Sequence, residues 1–552
     1  MLTVTDGRRF VIAGAGLAGL RTAAELRERG FTGPITLIGA EALPPYDRPP
    51  LSKKVLTDEG VDPSLKADFT ALDVDFRPGE AATGMDAGTL ATDRGTYPYD
   101  RLVLATGALP VALPGPGRQR FLRNYDDALA LRALLRPGLR LAIVGAGWIG
   151  AELATAAAAR GAEVTVVEAG PAPLASAVGA PVGAQTSRWY AAAGVHLRTG
   201  VAVESVQSAG SEQGLALAGG GWIAADEVVT AVGVRPATGW LAGSGIWLEN
   251  GVAVDAGLRA SLPGVYAVGD CAAFESRRFG RRLRFEHWDV ALHAPEVVAA
   301  NVLGGDEVYD PVPYFWSEQF GRMVQYAGYH GGAERLVWRG DPAGPTWAAC
   351  WLAAGRLVAI LTVDRPRDLL QGRRLIASAS PVDVGRLTDP AVPVKDAVLC
   401  RTAPHHTHPG QDPVTGASPW CLERARTWDI GFVAQIDPTT DALVGEWLSL
   451  PDVAGLLSIP AGRVKQLLRD RKLLAVTRPE GTLAVPAAFL DGRQILKGLC
   501  GTLTLLFDCG FDELEALRWL FTADDSLPGT PIDAIVKHRG TEVNRRAQAL
   551  AF

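Results

Sequence analysis

Two stretches about 130 residues apart constrain this chain more than any other feature. VIAGAGLAGL (11–20) and LAIVGAGWIG (141–150) each run an apolar strand into G-x-G-x-x-G. In Gly14-x-Gly16-x-x-Gly19 the first glycine permits a tight turn. The second lets the backbone approach a pyrophosphate, and the third lets helix and strand pack closely. The anion then rests on unpaired N–H groups at the positive end of the helix. Glu41 follows at the offset of a ribose-binding acid, and Gly145, Gly147, Gly150 and Glu168 repeat the arrangement. One such motif is weak. Two, each after an apolar strand and each with its acid, predict two Rossmann-like dinucleotide-binding domains.

The chain has 552 residues, 48% apolar and 21% charged, enough for several domains with ample core. A net charge of −6 argues against a general nucleic-acid coat or a polybasic membrane anchor, though local patches remain open. No apolar run approaches the ~18 residues of a membrane span. The N-terminus lacks a basic, apolar and small-residue signal, so the cytoplasm is the expected address. None of the six cysteines forms a C-x-x-C pair, which suits reduced structural thiols rather than a disulfide framework.

Residues 9–110 alternate strand and helix patterns and end in YDRLVLATG (99–107); residues 139–168 repeat the pattern, and GVYAVGDCA (264–272) adds a buried strand closing on an acid. Such alternation implies parallel sheets with ligands at the carboxyl ends of strands. From about 313 to 390 short β-like runs (WAACWLAAGRLVAILTV) precede a basic helix, RDLLQGRRLI. Residues 391–440 are rich in Pro, His, Thr and Gly without periodicity and read as a disordered linker. Helical patterning returns over 447–552.

Glu168 also bears on cofactor choice. A 2′-phosphate facing a carboxylate at ~4 Å is repelled by up to ~4 kcal/mol per charge pair at an effective dielectric near 20. Even a third of that is about tenfold in affinity. No Arg follows in AGPAPLAS (169–176) to rescue a phosphate, so NAD is expected rather than NADP.

PYDRPPLSK (45–53), ATG (105–107), GVRPAT (233–238), GVYAVGD (264–270), EHW (286–288) and PYFWSEQFG (313–321) together resemble the FAD-dependent ferredoxin reductases of oxygenase systems. These are the rhodocoxin, putidaredoxin and biphenyl-dioxygenase reductase type, and the likeness covers about 9–385. The resemblance implies an α/β protein in which 1–115 and 240–312 bind FAD, 116–239 bind NAD, and 313–390 form an α+β reductase C-terminal domain. It places Lys53 beside the flavin, where an ammonium stabilises the reduced ring, with Glu152 compensating its charge. Asp270 is implied at the ribityl chain, and Trp288 and Trp316 against or near the ring. Lys53, Glu152 and Trp316 are the catalytic candidates. Ala18, Arg48, Ala82, Thr106, Gly107, Arg123 and Gly233 are implied cofactor contacts. Position 40 is Ala where relatives often place an acid, which leaves Glu41 for the adenosine ribose.

Residues 1–270 contain no cysteine, whereas disulfide reductases of related fold carry a redox-active pair after the first cradle. Electrons must therefore leave the chain, one at a time if the acceptor is an iron–sulfur protein. RRFGRRLR (277–284) places Arg277, Arg278, Arg281, Arg282 and Arg284 within eight residues. It is either a solvated hairpin or a landing patch that steers an acidic [2Fe–2S] ferredoxin.

Residues 441–552 exceed what such a reductase needs. WLSLPDVAGLLSIPAGRVKQLLRDRKLLAVTRPEGTLAVPAAFL (447–490) reads as helix, turn, helix and hairpin. Ser449 caps the first helix with Asp452 three on, and Val453, Leu456 and Leu457 make its apolar face. Ser458 caps the second, whose Val464, Leu467 and Leu468 face inward. Lys465, Gln466 and Arg469 then point outward with Arg463 on the flank, and RPEGT (478–482) makes a wing carrying Arg478. That predicts a winged helix-turn-helix able to enter a major groove. Through KGLCGTLTLLFDCGF and RRAQALAF the segment resembles a small actinobacterial DNA-binding family that normally stands alone. The join is either a real fusion or a gene read through a stop or frameshift. Cys400, His405, His406, His408 and Cys421 lack structural-site spacing, and no metal is expected. Besides a reductase, the pattern leaves open an NADH-sensing DNA-binding regulator and an oxygen-reducing NADH oxidase.

Overall fold

Four consecutive buried apolar residues, Phe10–Ala13, form the central strand of a five-stranded parallel sheet. Its order is Val265–Ala267, Arg101–Leu104, Phe10–Ala13, Ile35–Gly39, Val74–Pro78. Parallel strands are covered on both faces, which is why they read as unbroken apolar runs. Leu17–Glu28 supplies one covering helix and packs against Trp288–Val302. The computed structural model describes residues 7–209, 212–399, 436–469, 472–478, 481–508, 511, 513–524, 527 and 529–549. They fall into two units, 1–397 and 398–552.

Within the first unit a second parallel sheet runs His196–Thr199, Glu163–Glu168, Arg140–Val144, Glu227–Thr230. The chain leaves the first sheet after Arg101–Leu104, builds the second, and returns to the same edge with Val265–Ala267. Residues Tyr314–Val363 make a five-stranded antiparallel sheet of order Tyr314–Gln319, Arg322–Gly328, Arg356–Val363, Trp347–Ala353, Arg335–Arg339.

Helix Pro366–Ser378 lies on this sheet, and its basic character is deceptive. Arg373 is buried and pairs with buried Asp289 at 3.4 Å. Asp368 takes Arg339 at 2.8 Å and Arg365 at 2.7 Å. Two of the helix's charges, Asp368 and Arg373, therefore lie inside. Order also continues past 390: Val394 and Ala397 are buried in a short 3-10 turn, and Lys395 N–H donates to Gln371. At the far end of the expected linker, Asp437 caps helix Pro438–Val444. Residues 400–435, with Cys400, His405, His406, His408 and Cys421, lie outside the described residues.

The second unit holds helices Leu450–Leu457 and Ala461–Arg469 and a three-stranded sheet of order Trp447–Ser449, Leu483–Pro486, Val476–Thr477. Ser449 and Asp452 form the expected capping box. Ser458 does not cap the second helix. It ends the first, in left-handed conformation at φ 55°, because the chain must reverse there before Pro460. Val453 and Val464 are fully buried, but Leu456 is 41% exposed, so the first helix turns a narrower apolar face inward than expected. Helices Leu499–Asp508, Glu513–Phe521, Pro531–Val536 and Gly540–Ala549 complete the unit.

Candidate functional site

Both cradles have the same local geometry. Gly14 and Gly145 adopt φ of +116° and +101°, a region that favours glycine. A Cβ on Gly19 would stand 1.9 Å from the Gly14 carbonyl oxygen, and one on Gly150 2.0 Å from that of Gly145. Around Gly16 and Gly147 nothing lies within 4 Å of a Cβ, so the open space is where a ligand backbone would pass. Neither helix Leu17–Glu28 nor Trp148–Ala159 has a side-chain cap, which leaves first-turn N–H groups for an anion.

One cleft of about 920 Å³ joins the two halves. Gly14, Gly16, Ala18, Glu41, Arg48, Lys53, Ala82, Thr106, Gly107, Arg123, Asp270 and Trp288 line it, with Glu152 and Trp316. Gly19, Gly145, Gly147, Gly150, Glu168 and Gly233 do not line it. The glycines among them shape the cradles or, like Gly233 with φ +106°, an adjoining turn.

Lys53 Nζ donates to Glu152 Oε2 at 2.8 Å, as expected, and both side chains are buried or nearly so. Ser52 Oγ donates to the same oxygen, while Ser317 Oγ donates to Oε1 at 2.6 Å. Arg123 Nη2 stands 2.7 Å from Asp270. Glu41 accepts from Arg48 at 2.7 Å and from Tyr46 OH at 2.5 Å, so its carboxylate is already oriented. Glu168 accepts from the Ala146 and Gly170 N–H groups at 2.8 and 2.7 Å. Trp288 Nε1 donates to Asp47 at 2.6 Å, and the Trp288 and Trp316 rings meet edge to face at 5.7 Å. His287, stacked between Phe285 and Phe315, also lines the cleft, and burial pushes it down to about 4. Ser52, Ser317, Tyr46 and His287 were not singled out from the sequence. Ser52, Tyr46 and His287 stand inside the quoted motifs, as does Ser317, but no periodicity shows a partner 165 residues away.

The arginine hairpin is not one free patch. Arg278 donates to the Ile376 and Ala377 carbonyls. Arg282 pairs with Glu275 and lies over Trp247, and Arg284 pairs with Glu286 and donates to the Asp270 carbonyl. Arg277 and Arg281 are exposed, Arg281 over the Tyr329 ring. In the second unit Arg463 and Lys465 are exposed and Gln466 half-buried. Arg478 pairs with Asp441 at 3.0 Å and its guanidinium lies 5.8 Å from the Trp447 ring centre. The Arg469 side chain lies outside the described residues.

Two cradles feeding one cleft, beside an antiparallel third sheet, define a pyridine-nucleotide oxidoreductase. Residues 8–294 match the pyridine nucleotide-disulphide oxidoreductase family, and 314–398 the reductase C-terminal domain. The chain is 37% identical over 398 residues to the anthranilate 1,2-dioxygenase system ferredoxin–NAD(+) reductase component of Burkholderia cepacia, covering 70% of this chain and 98% of that one. It superposes on the crystal structure of Fdr9 with TM-score 0.68 and 49% identity, covering 70% and 99%. On the covalent putidaredoxin reductase–putidaredoxin complex the values are 0.67 and 31%, covering 71% and 98%. The chain belongs to the ferredoxin–NAD(+) reductase family of flavin oxidoreductases, with flavin and NAD(H) as that family's cofactors. Residues 435–490 match the wHTH domain of DNA-binding protein Rv2175c, and 496–551 that protein's C-terminal domain of unknown function. No helix among the described residues is long and apolar enough to cross a membrane.

Proposed function

We propose that the chain is a cytoplasmic NADH:ferredoxin oxidoreductase using FAD, with 1–115 and 240–312 holding the flavin, 116–239 the nicotinamide cofactor, and 313–390 completing the site. The observation that carries this is the single cleft lined by Gly14 and Gly16 of one cradle and by Trp148, Ile149 and Glu152 of the other. FAD, when bound, accepts an electron pair from NADH and releases electrons singly. Gly14 and Gly16 with the amides after them cradle its pyrophosphate while Gly19 lets the helix pack close, and Glu41, oriented by Arg48 and Tyr46, takes the ribose. Asp270 and Arg123 hold the chain between, and Lys53 presents a cation whose charge Glu152 balances. Gly145 and Gly147 receive the dinucleotide of NADH, Gly150 lets the helix pack against the turn, and Glu168 disfavours a 2′-phosphate. Trp288 and Trp316 wall off water from the ring. Arg277 and Arg281 steer an acidic [2Fe–2S] ferredoxin.

Cys271, the first cysteine in the chain, is buried and donates to the Leu104 and Val268 carbonyls, and burial pushes its thiol up. It suits structure rather than the peroxide-reducing chemistry of an oxidase. The test is spectroscopic and kinetic. Purified full-length protein is expected to be yellow, to bleach with NADH far better than with NADPH, and to reduce cytochrome c only when a [2Fe–2S] ferredoxin is added. Strong reduction without ferredoxin counts against that partner.

The winged helix favours a second activity. We infer that Arg463, Lys465, Gln466 and Arg469 face duplex DNA. A gel shift with the whole chain tests this, and a change in affinity on adding NADH would make the protein a redox-sensing regulator.

A further inference from the structure

Four donors from two parts of the reductase converge on one buried carboxylate carried by a third. Glu152 Oε2 accepts from Lys53 Nζ and Ser52 Oγ, both in the segment after the first cradle. Its Oε1 accepts from Ser317 Oγ at 2.6 Å and the Glu318 N–H at 3.3 Å, both in the first strand of the antiparallel sheet. Glu152 itself sits in the helix of the second cradle. A carboxylate has about four lone-pair sites, so this one is fully used.

The Ser317 proton has one destination. Gln319 Nε2 donates to Ser317 Oγ at 3.0 Å, which commits the serine's single hydrogen to Glu152. Ser317 and Gln319 are both fully buried, so no water substitutes for either bond. With Oε1 fixed from one side, the carboxylate cannot rotate, and Oε2 is held where Lys53 meets it. The next residue extends the same seam, since the Phe320 N–H donates to Thr155 on the Glu152 helix.

We propose that Ser317 is a positioning residue. Through Glu152 it sets where the Lys53 ammonium stands in the cleft and how much of its charge is left uncompensated there. The inference rests on the flavin reading above. Without the Ser317 hydroxyl the carboxylate has fewer donors and turns fully onto Lys53, so the cleft loses positive field at the ring and flavin reduction becomes less favourable.

The experiment uses the flavin-loaded full chain. Ser317→Ala is expected to keep its flavin and to lower the equilibrium constant for flavin reduction about tenfold, or about 30 mV for a two-electron couple. The limiting rate of flavin reduction by NADH should fall with it while the NADH KM stays within about twofold. Ser52→Ala, which removes the other hydroxyl, should shift the potential in the same direction. In a Glu152→Gln background Ser317→Ala should change nothing further, because its route of action is gone. An unchanged potential in a flavin-loaded Ser317→Ala overturns the proposal. If that variant does not hold flavin, Ser52→Ala decides, and an unchanged potential there overturns it equally. Wild-type protein that fails to bleach with NADH would instead sink the flavin reading, whatever the serine does.

Discussion

Arg123 Nη2 and Asp270 Oδ2 meet at 2.7 Å across 147 residues of chain. The pair ties the end of the returning strand of the first sheet to the segment leading into helix Tyr125–Leu134, at the floor of the cleft. Both side chains are mostly buried, so removing one partner leaves the other desolvated and unpaired, at about 1–3 kcal/mol. Arg123→Ala is expected to lower the Tm and weaken flavin retention about tenfold or more, read from flavin absorbance after gel filtration. Asp270→Asn should do the same with a smaller fall in Tm.

The glycines separate fold from ligand. Gly150→Ala forces helix against turn, because the added Cβ overlaps the Gly145 carbonyl, and overpacking of that kind costs about 1–3 kcal/mol. Gly147→Ala meets nothing in the protein. It is expected to leave the Tm unchanged and raise the NADH KM, whereas Gly150→Ala lowers both stability and NADH-dependent bleaching. Equal Tm values for the two variants would contradict this.

Glu168 should control cofactor choice. Its carboxylate is pinned by the Ala146 and Gly170 amides at the carboxyl end of its strand. Glu168→Ala is expected to narrow the ratio of kcat/KM for NADH over NADPH by about tenfold. The comparison of the two coenzymes under identical conditions checks it.

His287 predicts acid sensitivity. Burial lowers it from 6.5 to about 4, so the folded state favours neutral imidazole. Below about pH 6.5 the unfolded chain binds a proton that the folded one refuses, and stability falls until about pH 4. The full contribution is present above that window and amounts to at most about 3 kcal/mol. His287→Gln should flatten the Tm against pH over this range relative to wild type. His293, raised by its Asp289 hydrogen bond against burial, acts oppositely and is unchanged in the comparison.

The arginine hairpin should divide by role. Arg277→Ala with Arg281→Ala is expected to slow ferredoxin association and reduce its salt dependence without changing NADH-driven flavin bleaching. Arg282→Ala removes an internal pair and the stacking over Trp247, so it should lower the Tm instead. Stopped-flow traces at two ionic strengths, beside thermal melts, distinguish these outcomes.

What the sequence determined by itself is what depends on near neighbours. The cradles are legible because the torsions of Gly14 and Gly145 and the approach of Gly19 and Gly150 to their own turns are set within six residues. The Ser449–Asp452 capping box is legible for the same reason. The Lys53–Glu152 pair was reached through resemblance rather than spacing. Only the tertiary structure decided which arginines are spent internally, that Ser317 reaches Glu152, that Leu456 stays exposed, and that Ser458 ends a helix rather than starting one. The arginines and Ser317 turn on partners brought close by packing between distant segments and Leu456 on what packing leaves uncovered, because a side chain's pattern along the chain specifies its face but not what lies opposite; Ser458 turns on the local reversal before Pro460.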